Sequence, residues 1–346
     1  LPNHCDGDKL LSNVYAKNWG GEHRINGGTA GRVRSVAVRG GTIERLRGRF
    51  ADLPPPVVVY NKSHSGSRLL AQMLADQGVF IGAKLNESSD AMAVLPLIER
   101  LVEDYYPNYQ TLWDQEWPTD LEALFVTAMM EHLAGHDGHS PWGWKLCETT
   151  YIVPIIAAVF PKARFVHLLR DGLDVAFSDH VPPQARFWRK VYFNNGDIQG
   201  WRGLSMTNRA YVRRPHIYNA LHWMNAVEVG RSYGAMLHGR CLEVRYEDLC
   251  QDFIPTSRRI LGFLGLPADE AALTARAGTI RRGTIGKHHR RQRQRRQVLR
   301  LIEPTLLSLG YLETPSQPSW LWRLRERWYS VLRQGGKTWR HLRGKA

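Results

Sequence analysis

The chain predicts an α/β protein with a central parallel sheet flanked by helices. Three stretches carry that expectation. The β-branched run "PPPVVVY" turns through "NKSHSGS" into the periodic "RLLAQML". The helix-like "YIVPIIAAVF" (151–160) precedes the strand-like "RFVHLL" (164–169). The apolar "CLEVRY" (241–246) leads into "EDL" and the amphipathic "FIPTSRRILGFLGL". Strands that alternate with helices need crossover connections, and crossovers make neighbouring strands parallel.

Taken in order, residues 1–52 are polar, glycine-rich and weakly periodic, which predicts an irregular or disordered lead. A strand over 57–61 and a helix over about 67–77 follow, then a helix-rich stretch to about 135 that includes "LEALFVTAMMEHLAG". The second strand–loop–helix unit ends in "RDGLDVAFS", and no internal repeat is visible. One catalytic domain is expected over 53–312, with a basic amphipathic tail over 313–346.

Length and composition narrow the class. With 346 residues and 43% apolar content, the chain can bury one large core. Its longest unbroken apolar runs are about half of what a membrane span needs, and no signal core opens the sequence, so a soluble cytoplasmic protein is expected. Cys5, Cys147, Cys241 and Cys250 have no paired spacing and no clustered histidines, which predicts reduced thiols and no metal site; His288 and His289 lie in an arginine run instead. Charge is uneven. Residues 281–346 hold 17 Lys or Arg against three Glu, leaving +14 of the chain's formal +15 in that segment. An anionic partner would meet this end, although a solvated basic face has the same composition.

The loop after the first strand is the first chemical signal. It lacks the GxxxxGK[ST] of a Walker A loop and the GxGxxG of a dinucleotide site. Lys62, Ser63, His64, Ser65, Gly66, Ser67 and Arg68 can still offer hydroxyls, backbone amides and cations to a phosphate, as an ordinary helix cap also could. The second signal is Arg170 at the end of a buried-looking strand, with Ser178 eight residues later. A guanidinium fork and a hydroxyl so placed suit a second phosphate; pairing of Arg170 with Asp171 or Asp174 is the plainer alternative.

Together these stretches resemble the sulfotransferase superfamily. "HSGSR" (64–68) is similar to its loop for the 5′-phosphosulfate of 3′-phosphoadenosine 5′-phosphosulfate (PAPS), and "RDGLDVAFS" (170–178) to its element for the 3′-phosphate. "RRG" (Arg281, Arg282, Gly283) resembles the element that closes over that phosphate, and "VRYEDL" (244–249) the tract before the C-terminal helices. The resemblance covers about 54–312 in the right order and implies a P-loop-like sulfotransferase fold, nearer to bacterial and tyrosylprotein-type members than to the cytosolic small-molecule type. It also implies PAPS as co-substrate with no metal. The basic residue that the family places before Ser-Gly is His64 here, with Lys62 two positions earlier, so either could touch the 5′-phosphosulfate.

What the resemblance implies for catalysis can be followed residue by residue. Lys145 in "WGWKLCETT" stands where relatives face a lysine to the sulfuryl group, and His64 is a further catalytic candidate. Relatives that use a carboxylate base place it near Glu87; Glu148 is the second choice, and Cys147 occupies the position of the histidine base of the small-molecule type. The acceptor region, 180–222, is rich in aromatics and arginine, which suits a hydroxyl-bearing saccharide or glycolipid. The tail "WLWRLRERWYSVLRQ" has an interfacial amphipathic pattern suited to an anionic membrane surface, so the protein is expected to be peripheral there, or else to dock the tail on its own core. A different class of function, a noncatalytic polyanion- or nucleic-acid-binding protein using "HHRRQRQRR", explains the charge but leaves Arg170, Ser178 and the Ser-Gly loop without a role.

Overall fold

The computed structural model describes residues 41–178, 191, 214–280, 283 and 285–314. The elements run α1 (Thr42–Arg49), β1 (Val57–Asn61), α2 (Ser67–Asp76), α3 (Leu95–Tyr105), α4 (Gln110–Asp114), α5 (Thr119–His132), β2 (Gly143–Lys145), α6 (Val153–Val159), β3 (Arg164–Leu169) and α7 (Gly172–Ala176). Then come α8 (Pro215–Met236), β4 (Cys241–Arg245), α9 (Tyr246–Gln251), α10 (Phe253–Leu264), α11 (Glu270–Ala277) and α12 (Gln292–Ser308). The four strands form one sheet in the order β2-β1-β3-β4, every pair parallel.

The central strands read as near-continuous apolar runs because helices cover both faces. Val57, Val58, Val59 and Tyr60 are all buried, as are Phe165 to Leu169. One face packs on a large cluster containing Val58, Tyr60, Phe125, Trp142, Trp144 and Ile156; the other packs on Val57, Val59, Leu70, Leu74, Leu261 and Leu264. A third cluster joins Leu173 and Phe177 to Trp223 of α8 and to Val298 and Ile302 of α12.

One expectation changes, and three stretches take forms that the sequence did not announce. The lead over 1–52 is not irregular from residue 42 on: α1 buries Leu46, and Phe50 after it stacks near Phe125 and Phe160 in the main cluster. "WGWK" is a strand, not merely a lysine among tryptophans. Gly143 makes it fit, because a Cβ there would lie 1.9 Å from the Val57 carbonyl oxygen. The end of the region 180–222 begins the 22-residue helix α8, with Pro215 in its first turn. Finally, most of "HHRRQRQRR" enters α12, whose opposite face buries Val298, Leu299, Ile302 and Leu306. Residues 315–346, with the amphipathic tail, lie outside the described residues. No described helix is long and apolar enough to cross a membrane, and the described residues contain no group of His, Cys, Asp and Glu arranged to hold a metal ion.

Candidate active site

The strand order places a topological switch between β1 and β3, since the chain leaves β1 toward β2 and leaves β3 toward β4. In open parallel sheets the crevice outside the carboxyl ends at that switch is where ligands sit. Both loops singled out from the sequence open onto it. After β1, residues 62–66 make a tight turn in which the Ser65 N–H donates to the Lys62 carbonyl (3.2 Å), and α2 starts at Ser67. His64 and Gly66 both have left-handed backbones, φ 66° and 84°. A Cβ on Gly66 would lie 2.1 Å from the Tyr246 ring, so only glycine lets the loop lie against that wall. No side chain caps the start of α2, which leaves its first N–H groups and its positive dipole end directed at the turn.

After β3, Arg170 is buried at 5% exposure, donates to the His64 carbonyl (3.0 Å) and lies over the Tyr246 ring, 4.7 Å from its centroid. The two loops are thus tied by a direct bond. Asp171 caps α7 by accepting from the Leu173 N–H (2.8 Å); burial pushes its carboxyl up to about 6. Asp174, 3.8 Å from Arg170, takes the Gly286 N–H (2.7 Å) and faces His288 Nδ1 (2.9 Å). Burial works against the charge of Asp174, but the bonds from His288 and Gly286 and the charge of Arg170 bring its carboxyl below the ordinary range. Ser178 is half-buried, with its hydroxyl on the Asp174 carbonyl (3.1 Å).

The other end of the crevice lies at β1 and β2. Lys62 and Lys145 are both buried, at 2% exposure each. Lys62 Nζ donates to the Ser63 hydroxyl (2.6 Å), and burial lowers its ammonium to about 7 against the pull of Cys147 and Glu148. Lys145 Nζ is paired with Asp90 (2.6 Å) and bonded to the Ser88 carbonyl (2.7 Å). Glu148 is half-buried in a 3-10 turn directly after β2, and burial, with a smaller push from Asp90, raises its carboxyl to about 7 while Lys62 and Lys145 oppose the shift. Burial also pushes the Cys147 thiol up to about 12, which keeps it neutral and useless as a base near neutral pH.

The sequence-stretch candidates therefore separate. Lys62, Ser63, Ser65, Gly66, Ser67, Arg170 and Ser178 line or flank the switch, and Lys145 and Glu148 share the β1–β2 end. His64 is exposed on the turn, and its backbone carbonyl accepts from Arg170. Arg68 points to the Ser88 hydroxyl (3.1 Å) instead of into the loop. Glu87 is exposed at the tip of the 86–90 turn. Gly283 is exposed, while Arg281 and Arg282 lie outside the described residues. Sequence reading missed Asp90 and the pairing of His288 with Asp174. The second had a visible signal, a carboxylate four residues after Arg170 with no apolar role on a buried turn.

Comparison with known proteins follows the same lines. An uncharacterized protein of Aquifex aeolicus (strain VF5) is 25% identical over 243 residues, which are 67% of this chain; the chain spans only 28% of that protein's length. Among solved structures, the sulfotransferase domain from the Synechococcus PCC 7002 olefin synthase has 19% identity and a TM-score of 0.39, over 72% of this chain and 95% of that one. A mouse sulfotransferase complexed with PAP has 11% identity and a TM-score of 0.41, over 76% and 88% of the respective chains. The Sulfotransferase family pattern matches residues 56–270, which contain all four strands and both loops of the switch, and the chain belongs to that family.

Proposed function

We propose that this protein is an enzyme that moves a sulfuryl group from PAPS to an acceptor hydroxyl. The observation that carries the reading is the bond from Arg170 to the His64 carbonyl at 3.0 Å, which joins the two anion-binding loops across one crevice. The donor set fits a nucleotide with two separate anionic groups. Lys62, the Ser63, Ser65 and Ser67 hydroxyls and the uncapped start of α2 serve the 5′-phosphosulfate, while Arg170 and Ser178 serve the 3′-phosphate, with Arg281, Arg282 and Gly283 as further candidates by resemblance.

In the transfer, the acceptor oxygen bonds to sulfur as the sulfur–oxygen bond to the 5′-phosphate breaks, and the product nucleotide, 3′-phosphoadenosine 5′-phosphate (PAP), leaves with that electron pair. The transition state is loose, so fixed positive charge and alignment supply most of the acceleration. Lys145 and Lys62 offset the charge on the sulfuryl and departing oxygens. The acceptor proton goes to a carboxylate. Of the two candidates, Glu148 suits the task better than Glu87, because burial pushes its carboxyl up to about 7 against the pull of both lysines whereas Glu87 stands exposed on a turn tip.

A saccharide or glycolipid acceptor and a peripheral place at an anionic membrane rest on the sequence pattern of 180–222 and of the tail. Incubation with radiolabelled PAPS and fractionated lipid and polysaccharide acceptors tests the reaction and the acceptor class together. Label transfer to a hydroxyl-bearing fraction is the expected result; absence of transfer together with no calorimetric PAP binding defeats the reading. Sedimentation with anionic vesicles, lost on removal of 319–346, checks the membrane proposal separately.

A further inference from the structure

Lys145 ends β2 as a buried cation, and a single turn supplies both of its side-chain acceptors: Asp90 Oδ1 at 2.6 Å and the Ser88 carbonyl at 2.7 Å. That turn is locked from within. The Asn86 side-chain oxygen accepts from the Ser88 and Asp90 N–H groups, each at 2.9 Å, and its amide donates to the second oxygen of Asp90 at 3.0 Å. The turn and the residue after it are also locked from outside. Arg68, in the first turn of α2, donates to the Ser88 hydroxyl (3.1 Å), and the Ala91 N–H donates to the carbonyl of Lys145 itself (3.0 Å). The 86–90 turn is therefore bonded to the backbone and the ammonium of one lysine, and to the helix that opens the phosphate loop.

A lysine stem has four rotatable bonds, and an ammonium left to choose its direction is poorly prepared to meet developing charge. A carboxylate held in two directions by Asn86 removes that choice. We propose that Asp90, steadied by Asn86, is a positioning residue that fixes the Lys145 ammonium at the sulfuryl end of the crevice. Cys147, Glu148 and Lys62 are the other ionisable groups around it, and among the described residues Asp90 is the carboxylate in ion-pair contact with Lys145. The inference rests on the sulfuryl-transfer reading above.

Its test is a kinetic cycle run beside calorimetric PAP binding. Asp90→Asn keeps the shape and should lower kcat by about 10- to 100-fold while the KM for PAPS stays within about threefold. Asp90→Glu should recover part of the rate, and Asn86→Ala should lose a smaller factor, about three- to tenfold. Lys145→Ala should be slow, and Asp90→Asn in the Lys145→Ala background should be no slower, because a positioning residue has nothing left to position. Unchanged PAP affinity in the Asp90 and Asn86 variants, and an unchanged far-ultraviolet circular dichroism spectrum in Lys145→Ala, show that the fold is intact. The proposal is overturned if Asp90→Asn turns over normally, if the two losses multiply, or if Lys145→Ala keeps full kcat. Failure of the wild-type protein to bind PAP or turn over PAPS overturns the functional reading itself, and is seen before any variant is made.

Discussion

The two ends of the crevice are built on opposite principles. At the β3 end, Arg170 is held by a carbonyl, an aromatic face and a nearby carboxylate, and Asp174 is satisfied by Gly286 and His288. At the β1–β2 end, burial brings Lys62 and Glu148 both to about 7, one downward and the other upward. A guanidinium does not lose its charge in a protein, so the β3 end offers a fixed cation suited to binding. The β1–β2 end holds groups that change protonation near neutrality, as proton transfer requires. In the reading proposed above, the β3 end therefore serves binding alone, whereas the β1–β2 end combines binding of the 5′-phosphosulfate with proton transfer.

The largest effect should come from breaking the chemical end without touching the binding end. Glu148→Gln is expected to lower kcat by about a hundredfold or more with PAP affinity little changed, since it removes proton acceptance and keeps bulk. Glu87→Gln should change kcat by less than about threefold, as for a solvated surface group. Steady-state kinetics that reverse these two results move the base to the exposed turn. The acid limb of the kcat profile should rise through about 7 in the parent protein, because Glu148 must lose its proton to act, and should vanish in Glu148→Gln.

The binding end should break differently. Arg170→Ala and Ser178→Ala are expected to weaken PAP more than AMP, which lacks the 3′-phosphate; a charge-assisted bond of this kind is worth about 1.5–3 kcal/mol, or about 10- to 150-fold in affinity. The larger loss belongs to Arg170. Calorimetry that finds equal losses for both nucleotides would remove the 3′-phosphate from this end.

Much of this arrangement was legible in the sequence, for physical reasons. β1 and β3 are buried on both faces and so appear as near-continuous apolar runs, β3 interrupted by the buried His167, and each is followed by polar residues at the sheet's carboxyl edge. β2 was hidden because three residues are too few to show a period, and both tryptophans around Gly143 are buried. α8 was hidden because Tyr218, Leu221, Trp223, Ala226, Val227 and Val229 bury nearly every side of it, which erases the amphipathic signal. Residues 42–52 look polar because Thr42, Leu46 and Phe50, one per turn, are the fully buried ones, with Ile43 packed partly buried beside them. The site divides in the same way. Arg170 and Lys62 sit where a strand meets a loop and could be found from that junction, whereas Asp90 meets Lys145 only through the fold, 55 residues apart.

The smallest effect is the most direct test of the contrast, because it follows a single proton. Lys62 has a folded value of about 7 against 10.5 for an ordinary lysine, so between those values the unfolded chain carries a proton that the folded chain lacks. Stability from this residue is therefore greatest above about 10.5, falls as pH drops through that window, and is lowest below about 7, where the folded protein carries a buried charge. Lys62→Met should accordingly raise the melting temperature most at pH near 6, with the gain shrinking toward pH near 10. An anionic nucleotide reverses the penalty. PAP binding at pH near 8 should draw a proton onto Lys62, read by calorimetry in two buffers of different ionisation enthalpy. That uptake should persist in Glu148→Gln and disappear in Lys62→Met. Uptake lost in Glu148→Gln alone would mean that the proton belongs to the carboxylate, and a gain in melting temperature independent of pH would mean that the Lys62 ammonium is not desolvated at the end of β1.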